Sequence, residues 1–496
     1  MGMKRRLVTA IGCVVLLLSG ARGAPAQQAT RSEVDQLKRL LEEQEKAIRA
    51  LKSRIDELES RPAAAPERAE EEAPVAPPPV VREPGAAPAP AEEAEAVAFP
   101  RTQQSRVADR DNLDDRQEAA ARPGDYVLDP TYRGFIPIPR TVFMVKFNPK
   151  PRLDMMLDNR NPGGAPYRFA PARFAIEDTQ GFGGGSEFNA TSNGSQIRVD
   201  MRAPSLSGNF RLYYQNDFFG SDTKQMQYRL QHLYGQYHGV VGGFTYGIFE
   251  DPDSWPDTVD YEGPNSLIFA RRPVLHYTMS LADEWNMTLG VEQPGLQIDT
   301  NTDPGSDSRQ RAPDGGFNVR WEPGALGHVQ FSTILRYLGV TGGDRGKEGA
   351  FGWGINLGGS LALTDSDTMQ FLGVLGEGIG GLGNDAGFDN TDAAINSEGD
   401  LEALPYVSGM LAFTHKWTPR WRSTGTYGYV HVHNTSVQAD GTYHLTHYGS
   451  INLMYQLYKR LSVGLEGLYG FREVASGDDT HDVLRLNFGM VYSPFD

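Results

Sequence analysis

Residues 225–264 read QMQYRLQHLYGQYHGVVGGFTYGIFEDPDSWPDTVDYEGP. Two runs of alternating residues flank a glycine-rich turn at 239–243, and an acidic, proline-containing loop follows. In the first run Met226, Tyr228 and Leu230 share one face, and Gln227, Arg229 and Gln231 share the other. In the second, Phe244, Tyr246 and Ile248 lie opposite Gly243, Thr245 and Gly247. A period of two means strands, because successive Cβ atoms point to opposite sides of a sheet. An apolar face backed by an Arg/Gln face puts one side in lipid or core and the other in water. The loop then sets Glu250, Asp251, Asp253, Asp257, Asp260 and Glu262 within thirteen residues. This stretch predicts the constriction loop of a water-filled barrel.

Working outward, the same alternation recurs at 141–147, 195–202, 208–218, 225–236, 241–249, 268–279, 285–293 and 315–322. It continues at 327–338, 351–362, 367–378, 405–416, 421–433, 444–457, 461–472 and 482–492, giving about sixteen strands. From the fourth segment onward short gaps alternate with long ones, the first gap (147–195) is long too, and only 218–225 breaks the pattern. Long loops on one rim and short turns on the other characterise outer-membrane barrels, and an even strand number leaves both chain ends on the short-turn side. Ile197, Val199 and Met201 alternate with Arg198, Asp200 and Arg202, and Leu484, Leu486, Phe488, Met490 and Tyr492 share one face of the last segment. A soluble sandwich would alternate as well, but it would need a second sheet and would not require this regular loop alternation. Hydrophobic content of 39% suits a membrane barrel, whose lipid-facing and lumen-facing residues average out.

Residues 1–26 carry the pattern of a secretory signal: Lys4, Arg5 and Arg6, an apolar stretch over 7–18, and the small-residue exit Ala24-Pro25-Ala26. Cleavage falls after Ala26 or, alternatively, after Gly23. Loss of the segment removes the only cysteine, Cys13, so disulfides and Cys-ligated metals are excluded. It also removes four cations and no acids, taking the formal charge from −16 to −20. A product that acidic is a poor nucleic-acid binder. Over 27–60, Val34, Leu41, Ile48 and Ile55 alternate with Leu37, Gln44, Leu51 and Leu58 at heptad spacing, which predicts a coiled coil. Ile at one seam position with Leu at the other leans towards a parallel dimer. Residues 61–125, rich in Ala, Pro and Glu, predict a disordered linker, and the barrel occupies 130–496.

Candidate pore residues are basic on the lumen side: Arg198, Arg202, Arg211 and Arg229, with Arg271 and Arg272 after the acidic loop and Arg320 and Arg336 later. Guanidinium groups stay charged and engage carboxylates or phosphates in bidentate fashion, so such a wall favours small anions. The alternative is that the arginines pair with the loop merely to pin it. His431, His433, His444 and His447 have no cysteine or close carboxylate to complete a metal site, so no metal is expected. No G-x-S-x-G elbow is present and no catalytic residues are expected. Trp353, Trp417, Trp421, Tyr427 and Tyr429 fit an interfacial girdle.

GFIPIPRT (134–141), SQIRVDMRAP (195–204), FRLYYQNDFFG (210–220) and RLQHLYGQYHGVVGGFTYGIFEDPDSWPDTVDYEGP (229–264) together resemble the DcaP-like outer-membrane porins. The likeness is best over 134–294, and beyond residue 300 only the barrel texture remains. Arg229, His232, Tyr234, Gly243, Thr245, Phe249, Asp251, Pro256, Asp260 and Pro264 stand where that pattern expects them, as do Glu292 and Pro294. Two positions depart from it: His276 stands where the family pattern implies arginine, and the chain ends Phe495-Asp496 rather than in an aromatic residue. The resemblance implies a homotrimer of sixteen-stranded barrels in the outer membrane of a Gram-negative bacterium, with the N-terminal coiled coil in the periplasm. It implies passage of small anionic solutes, including dicarboxylates, with no cofactor. Arg198, Arg202, Arg211, Arg229 and Arg272 would guide the solute past 250–264. The rival reading is a plugged barrel that anchors the coiled coil as a periplasmic tether.

Overall fold

The computed structural model describes residues 134–163, 167–176, 184–203, 210–221, 225–301, 303, 305–343, 346–477 and 479–494. The signal segment, coiled coil, linker and Phe495 lie outside the described residues. Within them one antiparallel sheet closes on itself through sixteen strands. Strand β1 is bent, Met144–Phe147 and then Arg152–Asp158, and β2 matches it with Glu187–Thr191 and Ile197–Ala203. Next come β3 (Phe210–Asp217), β4 (Arg229–Tyr237), β5 (Val240–Tyr246), β6 (Arg271–Ala282), β7 (Trp285–Glu292) and β8 (Asp314–Trp321). The ring continues with β9 (Gly327–Gly342), β10 (Gly346–Ala362), β11 (Asp367–Glu377) and β12 (Pro405–Lys416). It ends with β13 (Trp421–Val432), β14 (Tyr443–Tyr458), β15 (Leu461–Val474) and β16 (Thr480–Tyr492). β16 returns to β1, pairing Arg485 with Asp158 and Val491 with Arg152. Each interior strand therefore spends both rows of backbone hydrogen bonds, which a lipid environment requires.

The strand order follows the sixteen segments read from the alternation, with one correction at the start. β1 continues past 147 to Asp158 and β2 begins at Glu187, so the first loop is 159–186 rather than 147–195. Pro149 and Pro151 interrupt the pattern there, because proline has no N–H for the ladder.

Connections after odd-numbered strands share one rim: L1 (159–186), L2 (218–228), L3 (247–270), L4 (293–313), L5 (343–345), L6 (378–404), L7 (433–442) and L8 (475–479). Those after even-numbered strands and both ends of the ring lie on the second rim, and the long gap expected over 338–351 shrinks to three residues because β9 and β10 run on to Gly342 and from Gly346. Between β4 and β5 the turn is the two-residue His238–Gly239, with φ of 48° and 79°. That is the twist-matched hairpin connection, and glycine takes the second position without strain.

Outward residues are exposed and apolar, as at Leu233, Leu275, Leu335, Leu375, Leu411 and Leu465. On the tight-turn rim Trp285 stacks on Trp321 at 5.8 Å and Trp421 on Tyr455 at 4.3 Å, with Tyr458 and Tyr492 beside the same rim. An apolar band edged by aromatic rings is a lipid-facing surface. The interior is not an empty tube. Tyr213, Tyr234, Phe249, Trp255, Leu267 and Tyr406 belong to one buried cluster inside the ring. Phe169 and Phe174 of L1 pack on Tyr448, Leu468 and Val483. Each such large side chain contributes roughly 1.5–3 kcal/mol by leaving water. At the β16–β1 seam Arg485 grips Asp158 in bidentate fashion, at 2.7 and 3.0 Å, with both side chains nearly sealed from solvent.

Candidate functional site: an arginine wall opposite an inserted loop

L3 leaves the rim and folds into the ring. Its neck is drawn together by Glu250, whose Oε1 accepts Gly247 N at 3.1 Å on the outgoing arm and Ala270 N at 2.9 Å on the returning arm. Burial pushes the Glu250 carboxyl well above the usual carboxylate range, against the two amide donors and aided by nearby Glu292. Tyr246, Ile248 and Phe249 turn inward with the loop and are almost fully buried. The sequence pattern had grouped Tyr246 and Ile248 with Phe244 on one apolar face. Only Phe244 keeps to the outer face, opposite Leu233 and Pro273.

The loop carboxylates are held by residues of the far wall and of L1. Asp251 accepts Arg320 Nη1 at 3.0 Å and faces His328 Nε2 at 2.8 Å, while Asp253 takes Arg320 Nη2 at 2.6 Å. Asp257 pairs with Arg422, and Glu262 with Arg168 at 3.4 Å. Asp260 turns inward on its own loop, accepting the backbone N–H of Gly263 at 3.1 Å and of Glu262 at 3.3 Å. Backbone carbonyls of the loop are read as well: Gln330 donates to Glu250 O, Asn356 to Phe249 O and Asn452 to Asp257 O. L6 lies on the returning arm, where Asn384 Nδ2 donates to Glu262 O and Pro264 O. Asp385 then ties L6 to L1 through Ala172 N at 2.9 Å and to β14 through Thr446 at 2.8 Å. Burial raises its carboxyl to about 7.

The basic residues of β2, β3 and β4 form the opposite wall. Arg202 is paired across the sheet with Arg211, and both donate to Asp200. Arg198 donates to Gln196. Arg229 grips Asp217, with Nε 2.9 Å from Oδ1. Most of these guanidiniums also lie over a ring: Arg211 over Tyr213 at 4.8 Å, Arg202 over Phe135 at 5.6 Å, Arg229 over Phe219 at 5.5 Å. Arg271 sits over Phe269 at 4.7 Å with its Nη1 buried and without a hydrogen-bond partner. Stacking fixes the guanidinium planes at the cost of little charge. The wall therefore sets Arg198, Arg202, Arg211 and Arg229, with Arg271 of β6, beside Asp200 and Asp217. L3 touches this wall through Tyr261, whose OH donates to Asp217 at 2.8 Å and whose ring stacks on Phe219 at 5.0 Å. Burial, with Asp217 beside it, pushes the Tyr261 hydroxyl up to about 12.

The structure separates the residues that the sequence grouped together. Arg272 stands apart from the wall, 3.2 Å from Asp314 and 3.8 Å from Glu292. Arg336 joins it there, bridging Asp314 at 3.0 Å and Asp392 at 2.7 Å. His276 points into the ring, 3.8 Å from Glu292. Arg168, Arg422 and His328 had not been singled out. Arg422 shares the inward phase of Thr424 and Thr426 and was readable from it, but Arg168 lies in a loop with no periodicity.

No family model and no curated protein matches the chain. Among solved structures it is similar to the outer membrane channel DcaP of Acinetobacter baumannii, at 16% identity and a TM-score of 0.61, over 72% of this chain and 99% of that one. An anion-selective porin from Comamonas acidovorans overlaps at 9% identity and a TM-score of 0.46, over 71% and 99%. The first likeness establishes the barrel architecture of outer-membrane channels, and the second is too low to bear on this chain.

Proposed function

We propose that this barrel is a passive outer-membrane diffusion porin for small anions, dicarboxylates among them, assembled as a homotrimer and without catalysis. The observation that carries the reading is the segregation of charge. Asp251 and Asp253 of L3 pair with Arg320 and Asp257 with Arg422, on the side of the ring away from β2–β4, while Glu262 pairs with Arg168 and also acts on Arg229. A small carboxylate moving along that wall meets fixed guanidiniums and aromatic rings, with L3 narrowing the passage. Fixed positive charge in a narrow aqueous path lowers the energy of anions and raises that of cations. The likeness in fold to the outer membrane channel DcaP supports the outer-membrane channel part of this reading.

The test is the reversal potential of the purified protein in a planar bilayer under a KCl gradient. The expected result is anion-preferring current in steps of three, with the preference reduced in the Arg202→Ala/Arg229→Ala double variant. Cation preference, or an unchanged reversal potential in the double variant, removes the arginine wall from the account. A second reading is favoured by the apolar cluster within the ring: a closed barrel that serves as an anchor. Absence of conductance from correctly folded protein would select it.

A further inference from the structure

β13 and β14 run side by side to the loop rim, with His431 opposite Leu445. A register shift between Tyr443 and Leu445 places one extra residue, His444, in β14. Strict alternation would send His444 inward with Thr446. The bulge re-aims it to the outer face beside His431, as bulges commonly re-aim side chains. The two Nε2 atoms stand 3.2 Å apart. Two imidazoles bound to one ion at about 2.0–2.1 Å, with angles between a right angle and tetrahedral, hold their nitrogens about 2.8–3.4 Å apart.

The neighbours decide which nitrogen carries the proton. Asn434 Nδ2 donates to Tyr443 O at 3.0 Å, which turns Asn434 Oδ1 to His444 Nδ1 at 2.8 Å. An amide oxygen only accepts, so the His444 proton sits on Nδ1 and Nε2 presents a lone pair towards His431. An outer carbonyl that fixes the tautomer of a ligating histidine is the usual support of such a nitrogen. The ring of His433 is centred 4.1 Å from that of His431, and a cavity of about 290 Å³, lined by His433, Asn434, Gln438, Asp440 and His444, opens beside the pair.

We propose that His431 and His444 form a surface binding site for a divalent transition metal such as Zn²⁺ or Cu²⁺, completed by water or by His433. Neutral imidazoles favour these ions over Mg²⁺ and Ca²⁺, which take oxygen ligands. Among the described residues no three His, Cys, Asp or Glu side chains are already set as ligands, so the site is a two-nitrogen bite open to a third donor. The sequence offers these histidines no cysteine or close carboxylate to complete a metal site, and the bulge that brings His444 beside His431 is invisible to a strict period of two.

The test uses the full-length chain without a histidine tag, in detergent. Cu²⁺ is added and nitrogen superhyperfine splitting is read by electron paramagnetic resonance, while Zn²⁺ affinity is read by competition with a chromophoric chelator. The expected result is one nitrogen-ligated site per chain, weakened at least tenfold by His431→Gln and by His444→Gln. Asn434→Leu, which leaves both imidazoles in place, weakens it about 10–100-fold. His415→Gln, on the opposite rim, leaves it unchanged. Equal Cu²⁺ spectra and Zn²⁺ affinities in wild type, His444→Gln and Asn434→Leu would overturn the proposal and leave the contact a plain hydrogen bond between two imidazoles.

Discussion

Arg320 holds the tip of L3, and its replacement by methionine is the sharpest probe of how the loop stays inside the ring. Its guanidinium serves Asp251 at 3.0 Å, Asp253 at 2.6 Å and Glu322 at 2.5 Å, with only 12% of the side chain exposed. Removing one partner of a buried ion pair costs about 3–5 kcal/mol, because a charge is left without compensation. Asp251 keeps His328 at 2.8 Å, so the penalty falls on Asp253 and Glu322, whose side chains are 8% and 13% exposed. The expected cost is therefore near the lower end, about 3 kcal/mol, which is more than a hundredfold in the balance between docked and undocked loop. The assay is a single-channel recording of Arg320→Met, read for new rapid closures, with heat denaturation of the same sample alongside. Adding Asp253→Asn should restore part of the quiet current, since it removes one of the carboxylates that Arg320 served and Asp251 still has its histidine. Wild-type noise and stability in Arg320→Met, or no recovery in the double variant, would refute the account.

Burial raises the Glu250 carboxyl and favours its neutral form, so Glu250→Gln should leave the loop neck intact while Glu250→Ala loses both amide contacts at about 1 kcal/mol each; hydrogen exchange at Gly247 and Ala270 distinguishes them. Asp385 has a folded-state value of about 7 against an ordinary value of 3.8, so the folded form holds the proton more tightly. Its contribution is complete below the ordinary value and is lost as pH rises from 3.8 through about 7, so the L1–L6 contact should loosen across that interval and stay level above it. Hydrogen exchange at Ala172 reads this, and Asp385→Asn should abolish the pH dependence.

The strands were legible because one residue in two faces lipid, and Leu484, Leu486 and their neighbours could not be apolar on one face by accident of a loop. The acidic loop was legible as a loop from its prolines and charge. Its partners were not. Arg320, Arg422 and Arg168 reach Asp253, Asp257 and Glu262 across the ring from segments far away in the chain, and no local pattern records that. Phase was lost at bulges too. The shift between Gln215 and Asn216 lets Gln231 and His232, adjacent in sequence, both become buried. Arg272 looked equivalent to Arg271, yet neighbours on a strand point apart, and only the ring shows that Arg272 goes to Asp314.

The seam between first and last strands joins residues that are furthest apart in the chain, so its closure carries the greatest entropic cost and is the step most open to error during insertion. Slippage of β16 by one residue along β1 would turn Arg485 out towards hydrocarbon and strand Asp158 inside. The bidentate grip thus fixes the register of the closed ring, since a cylinder misaligned by one residue forfeits it and leaves two charges without each other.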